Sequence, residues 1–142
     1  MVSYWDTSAL VPLVIAESTS ASNRRLADQV GVVTWWGSYV ECVAAITRHA
    51  RKGASAPQIA ESFRMLEQLA NEWTEVAANE ELRRTAVRGL RSHRLRSSDA
   101  LQLGAAMIAS RFDPPRMRFV THDLRLRAAA ELEGFVVENE KN

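Results

Sequence analysis

The chain has 142 residues, 46% of them hydrophobic and 25% charged, which suffices for one buried core and excludes a disordered or fibrous protein. Its net charge of +1 argues neither for nor against a nucleic-acid partner, because charge can be segregated on one face. Cys42 is the single cysteine, so no internal disulfide forms, as suits a reducing cytosol. The first residues lack a basic segment, and the apolar run 9–16 contains Pro12 and is too short to span a bilayer. The expectation is a cytoplasmic protein without a membrane partner.

Taken in chain order, 2–5 reads as a short strand. Asp6, Thr7 and Ser8 then cap a helix opening at Ala9, since short oxygen-bearing side chains accept bonds from free helix N–H groups. A second helix is expected over 20–29, and a strand over 32–34. From 38 to 52, Val40, Val43, Ala44, Thr47 and Ala50 recur at helical spacing until Gly53. Ser55 and Pro57 open the next helix, with Ile59, Phe63, Leu66, Leu69 and Trp73 on its inner face and Met65 outward. A strand at 74–77 precedes a charged helix at 80–93. The helix at 97–111, capped by Ser97, is apolar on most sides and suits the domain centre. A strand at 117–121, a helix at 123–133 and a last strand at 135–137 complete the chain. Strands alternating with helices predict an α/β fold: a three-layer α/β/α sandwich with a central parallel sheet of about five strands, as one domain over 1–142.

Four acids, Asp6, Glu41, Asp99 and Asp123, sit at or near predicted helix starts. Each singly reads as a cap or a first-turn acid favoured by the helix dipole. Together, in an open parallel sheet, they gather toward one edge, where ligands bind. Four uncompensated carboxylates there would raise one another's pKa values, and a hard divalent cation resolves the repulsion.

The segments around these acids resemble the motifs of PIN-domain ribonucleases, in particular the VapC-type toxins. The matching stretches are Asp6-Thr7-Ser8-Ala9-Leu10, Glu41 early in a helix, Ser98-Asp99-Ala100-Leu101-Gln102-Leu103 and Val120-Thr121-His122-Asp123, in order and over nearly the whole chain, with Glu17 also fitting. Trp5 and Gly104 depart mildly from the pattern. The resemblance implies that Asp6, Glu41, Asp99 and Asp123 form a catalytic Mg²⁺ or Mn²⁺ site, with Ser8 and Thr121 as supporting hydroxyls. It implies an endoribonuclease that hydrolyses RNA with activated water and leaves a 5′-phosphate. It also implies a small VapB-type antitoxin laid across the groove, and a homodimer.

Arg84, Arg88 and Arg91 share one helix face, followed by Arg94 and Arg96. They read either as phosphate contacts or as a solvated face paired with Glu80 and Glu81. Trp35 and Trp36 read as core or dimer-interface residues before base-stacking ones. His122 reads as a bystander, with strand alternation turning it from Asp123, and His49 and His93 as residues on charged helix faces. Two other functions fit less well. One is a PIN-like RNA- or protein-binding module with an inactive site. The other is an aspartate-nucleophile phosphohydrolase, which generally needs an acid where Ser8 stands.

Overall fold

The computed structural model describes residues 2–15, 24, 27 and 31–137. Glu17 and nearly all of the helix expected over 20–29 lie outside the described residues. Four strands form one parallel sheet: β1 (Ser3–Trp5), β2 (Val32–Trp35), β3 (Thr74–Val76) and β4 (Arg118–Val120), in spatial order β3-β2-β1-β4. Six α-helices with bounds among the described residues accompany them: α1 (Thr7–Val14), α2 (Ser38–Arg51), α3 (Ala56–Glu72), α4 (Glu80–Ser92), α5 (Ser97–Ala109) and α6 (Leu124–Glu133). Among the described residues no helix is long and apolar enough to cross a membrane.

Both faces of the sheet are covered at β1 and β2, whose consecutive residues are buried, whereas Thr74 and Glu75 of the edge strand β3 are exposed. Trp5 and Tyr4 are each fully enclosed, but on opposite faces. Trp5 joins Leu10, Cys42, Ile46 and Leu66 under α1, α2 and α3. Tyr4 joins Leu82, Leu103, Phe119 and Leu126 under α4, α5 and α6. In register, Tyr4 lies beside Val33 on one side and Phe119 on the other, and all three belong to the second cluster. Tyr4, Phe119 and Phe135 follow one another at ring-centroid distances of 5.3 and 5.5 Å. Burial of each such ring contributes on the order of 2 kcal/mol.

The fifth strand expected at 135–137 is not formed. Val136 makes a single parallel bridge to Arg118, held by Phe119 N–H to Val136 O at 2.9 Å and Val136 N–H to Met117 O at 3.1 Å. One bonded residue fixes the chain beside β4 without building a ladder. Of the inner face expected for α3, Ile59, Leu66, Leu69 and Trp73 belong to the Trp5 cluster, but Phe63 is exposed, Met65 packs there instead and Ser62 is buried. The stripe therefore centres between Ser62 and Leu66, on the Met65 side of the helix. The start of α3 follows expectation, with a reciprocal capping box between Ser55 and Gln58. Arg96, not Ser97, is the N-cap of α5, and no side chain caps that end.

Candidate active site at the carboxyl edge of the sheet

Strands β2, β1 and β4 are neighbours, and each ends at a segment bearing an acid. Chain order reverses between β1 and β4, so the crevice beyond their carboxyl ends is the topological switch point of the sheet. Asp6 follows β1 there, and Thr121 to Asp123 follow β4. Glu41 lies in the first turn of α2, after β2, and Asp99 in the first turn of α5.

Asp6 is only 4% exposed. It caps α1: its Oδ2 accepts the Ser8 backbone N–H at 3.2 Å, and its Oδ1 accepts the Ser8 hydroxyl at 2.8 Å. Burial pushes its carboxyl up to about 7, bonds from Ser8 and Thr121 pull it back, and the charge of Asp123 raises it further. Among the described residues, the main influences on it include no cationic side chain. Asp99 is half-buried and also raised, first by desolvation and next by Asp123, against the nearby Arg96 and Arg125. Asp123 is thus the charge that Asp6 and Asp99 both feel. It also caps α6, with Oδ1 accepting the Leu126 N–H at 2.9 Å. This residue is therefore a helix cap whose charge also reaches Asp6 and Asp99.

Glu41 takes the Thr7 hydroxyl on Oε2 at 2.6 Å, and the Gln102 amide nitrogen lies 3.3 Å from the same oxygen. Its charge and that of Asp6 both reach Tyr4 and Cys42. Burial foremost, then Glu41 and Asp6, pushes the Cys42 thiol up to about 12, so it is a neutral core residue and no nucleophile. Ser8 and Thr121 stand where supporting hydroxyls were expected, with Ser8 Oγ 3.2 Å from Thr121 Oγ1. His122 enters through its backbone N–H, which donates to Ser8 Oγ at 2.8 Å.

The donor set is all oxygen, which suits Mg²⁺ or Mn²⁺. A buried acid with no cationic partner among the described residues is the local feature that such an ion would complement. As the side chains stand, no three His, Cys, Asp or Glu among the described residues converge closely enough to hold one. Asp123 accepts from its own helix on Oδ1, and Glu41 accepts from Thr7 and Gln102 on Oε2.

The remaining expectations divide. Arg84, Arg88, Arg91, Arg94 and Arg96 are all exposed. Glu80 pairs with Arg83 at 3.0 Å, not with Arg84. Trp35 packs against the Tyr4 cluster and lines a groove of about 550 Å³ with Leu82, Val87, Leu90 and Leu101, whereas Trp36 is 58% exposed. None of the four acids lines that groove. Gly37 is required beneath Trp35, because a Cβ there would stand 2.2 Å from the indole ring. His93 does not lie on a charged face: it caps the end of α4 with 9% of its side chain exposed, and its Nε2 is 2.7 Å from Glu133 Oε1.

Sequence reasoning missed the polar network behind the acids, made of Tyr4, Thr7, Thr34, Ser38 and Gln102. A signal existed for Gln102, the one amide in an otherwise apolar stretch of α5, a turn after Asp99.

Fold and site together define a parallel α/β protein with an acidic crevice at its switch point. Among solved structures, the crystal structure of PAE2754 from Pyrobaculum aerophilum is similar, with a TM-score of 0.63 and 21% identity, over 96% of this chain and 90% of that one. That likeness establishes a shared fold. No protein-family model matches the chain, and no curated protein does.

Proposed function

We propose that this protein is a Mg²⁺- or Mn²⁺-dependent endoribonuclease of the PIN type, the toxin of a type II toxin–antitoxin pair. The observation that supports the reading best is the electrostatic linkage of Asp6, Asp99 and Asp123 at the switch point, with Glu41 across the crevice.

Asp6, Glu41, Asp99 and Asp123 would hold the cation. When bound, it would supply charge neutralisation and Lewis-acid activation of water for attack on phosphorus, leaving a 5′-phosphate. The chain's own residues do the rest. Ser8 and Thr121 fix the Asp6 carboxylate, and Thr7 with Gln102 fixes Glu41. The exposed arginines of α4 and the segment after it offer planar donors for RNA phosphates. A small antitoxin covering the crevice and a homodimer belong to the same reading, as does a cytoplasmic setting.

Purified protein incubated with RNA and Mg²⁺ is expected to cleave. EDTA, Asp6→Asn and Asp99→Asn should each abolish cleavage. Equal cleavage by wild type and both variants would mean a contaminating nuclease. The spread of the acids as they stand favours one second reading, a PIN-like module that binds RNA or a protein without cutting. RNA binding that is unaffected by Mn²⁺, with no cleavage at all, would select it.

A further inference from the structure

Gln102 lies on α5, one turn after Asp99, and is 2% exposed. Its Oε1 accepts the Tyr4 hydroxyl at 2.5 Å. Its Nε2 lies 3.0 Å from Thr7 Oγ1, 3.3 Å from Ser38 Oγ and 3.3 Å from Glu41 Oε2. The Glu41 carboxylate can only accept, which sets the amide nitrogen on its side and leaves Oε1 to accept the Tyr4 hydroxyl.

Each neighbouring hydroxyl has one hydrogen to give, and the acceptors decide where it goes. Thr7 gives its hydrogen to Glu41 Oε2. Thr34 gives its hydrogen to the Trp5 carbonyl at 2.8 Å, which leaves Ser38 as donor in the 2.6 Å Ser38–Thr34 bond. The oxygens of Thr7 and Ser38 are then acceptors for the amide, whose two hydrogens serve them and, in a shared bond, Glu41 Oε2. One run of donors leads from Tyr4 through Gln102 and Thr7 to Glu41, and a second from Gln102 through Ser38 and Thr34 to the Trp5 carbonyl. Among the described residues, both bonds to Glu41 from the network fall on Oε2 and none on Oε1.

We infer that Gln102 is a positioning residue: anchored by Tyr4, it holds Glu41 Oε2 directly and through Thr7, so that Oε1 is the oxygen offered to a divalent cation. This rests on the nuclease reading proposed above. A leucine at 102 would fill similar space but release Glu41 into several rotamers and leave Tyr4 and Ser38 without their amide partner. A glutamate would set a second negative charge against Glu41.

The test is Mn²⁺ binding to the full chain, followed by electron paramagnetic resonance of the free ion, with thermal melts to establish folding. Gln102→Leu is expected to weaken Mn²⁺ binding about 10-fold, the usual scale for a partner that orients a ligand. On a Glu41→Gln background the same substitution should cost nothing further. Tyr4→Phe, which frees the amide to turn, should weaken binding about 3-fold, again only when Glu41 is present. If Gln102→Leu does not fold, the Tyr4→Phe pair decides. Wild-type affinity in the folded Gln102 and Tyr4 variants would overturn the inference alone. So would an equal loss with and without Glu41, which marks a merely structural role. A wild-type protein that binds no Mn²⁺ would overturn the nuclease reading and this inference with it.

Discussion

Ser8 Oγ stands 3.2 Å from Thr121 Oγ1, joining the first turn of α1 to the segment after β4 across 113 residues of sequence. Ser8 gives its hydrogen to Asp6 Oδ1, and its oxygen accepts the His122 N–H, while Thr121 Oγ1 accepts the Asp123 N–H at 3.0 Å. Two hydroxyls therefore set Asp6 and the start of α6 in common register. Ser8→Ala removes an acceptor and a donor from a partly buried cluster and should cost about 1–2 kcal/mol in urea unfolding. Thr121→Val should cost a similar amount. Because the two share partners, the double variant should lose less than the sum of the singles. Strict additivity would mean the hydroxyls act independently.

Two glycines where α4 packs on α5 should respond oppositely to alanine. A Cβ on Gly104 would meet the Ala86 backbone nitrogen at 3.1 Å and its Cα at 3.4 Å, so α4 itself would have to move. Gly104→Ala is expected to destabilise by about 1–2 kcal/mol despite better helix propensity. A Cβ on Gly89 would meet only Leu103 Cδ2, at 3.9 Å, an ordinary van der Waals distance. Gly89→Ala should stabilise by about 0.5–1 kcal/mol, since the helix gains propensity without a clash. Melting of both variants, scored for opposite signs, checks the pair.

Local signals carried much of this architecture. The helix start at Ser55 and Pro57, the apolar α5 and the alternation of strand and helix were legible, because each is written in neighbouring residues. So was the placing of Asp6 and Asp123 after strands, though not that Asp123 both caps α6 and charges the crevice. Gln102 was hidden because its partners Tyr4 and Thr7 lie 98 and 95 residues away. The turn of α3 toward Met65 was set by what α3 packs against, which spacing alone does not record. The single bridge at Val136 looked like a strand since its apolar neighbours face the core, yet pairing stops after one residue.

The exposed arginines separate an RNA surface from a solvated one. Arg84, Arg88 and Arg91 recur at i, i+4 and i+7 on α4, and Arg83 takes the nearby Glu80. Replacing all three with glutamine should leave the melting temperature nearly unchanged, as expected of exposed positions. If they meet phosphates, binding to a short single-stranded RNA should weaken, and the slope of log K against log salt should flatten by about 0.7 for each phosphate no longer neutralised. An unchanged slope would assign the face to solvent.

Asp6 makes cation-free stability depend on pH in an unusual direction for an acid. Unfolded, it titrates near 3.8; folded, burial holds it at about 7. Below the lower value both states are protonated and folding loses nothing. As pH rises through this window the unfolded chain releases its proton first, so stability falls and levels off above about 7. The loss is of the order of 4 kcal/mol at most, and the raised Asp99 adds to it in the same sense. Asp6→Asn removes the titration, so its stability relative to wild type should improve by several kcal/mol between about pH 5 and pH 8. Mn²⁺ binds the ionised carboxylate and should act in reverse, raising the wild-type melting temperature more at pH 8 than at pH 5. Parallel pH profiles for wild type and Asp6→Asn without metal would show that the Asp6 carboxyl is not held protonated by its burial.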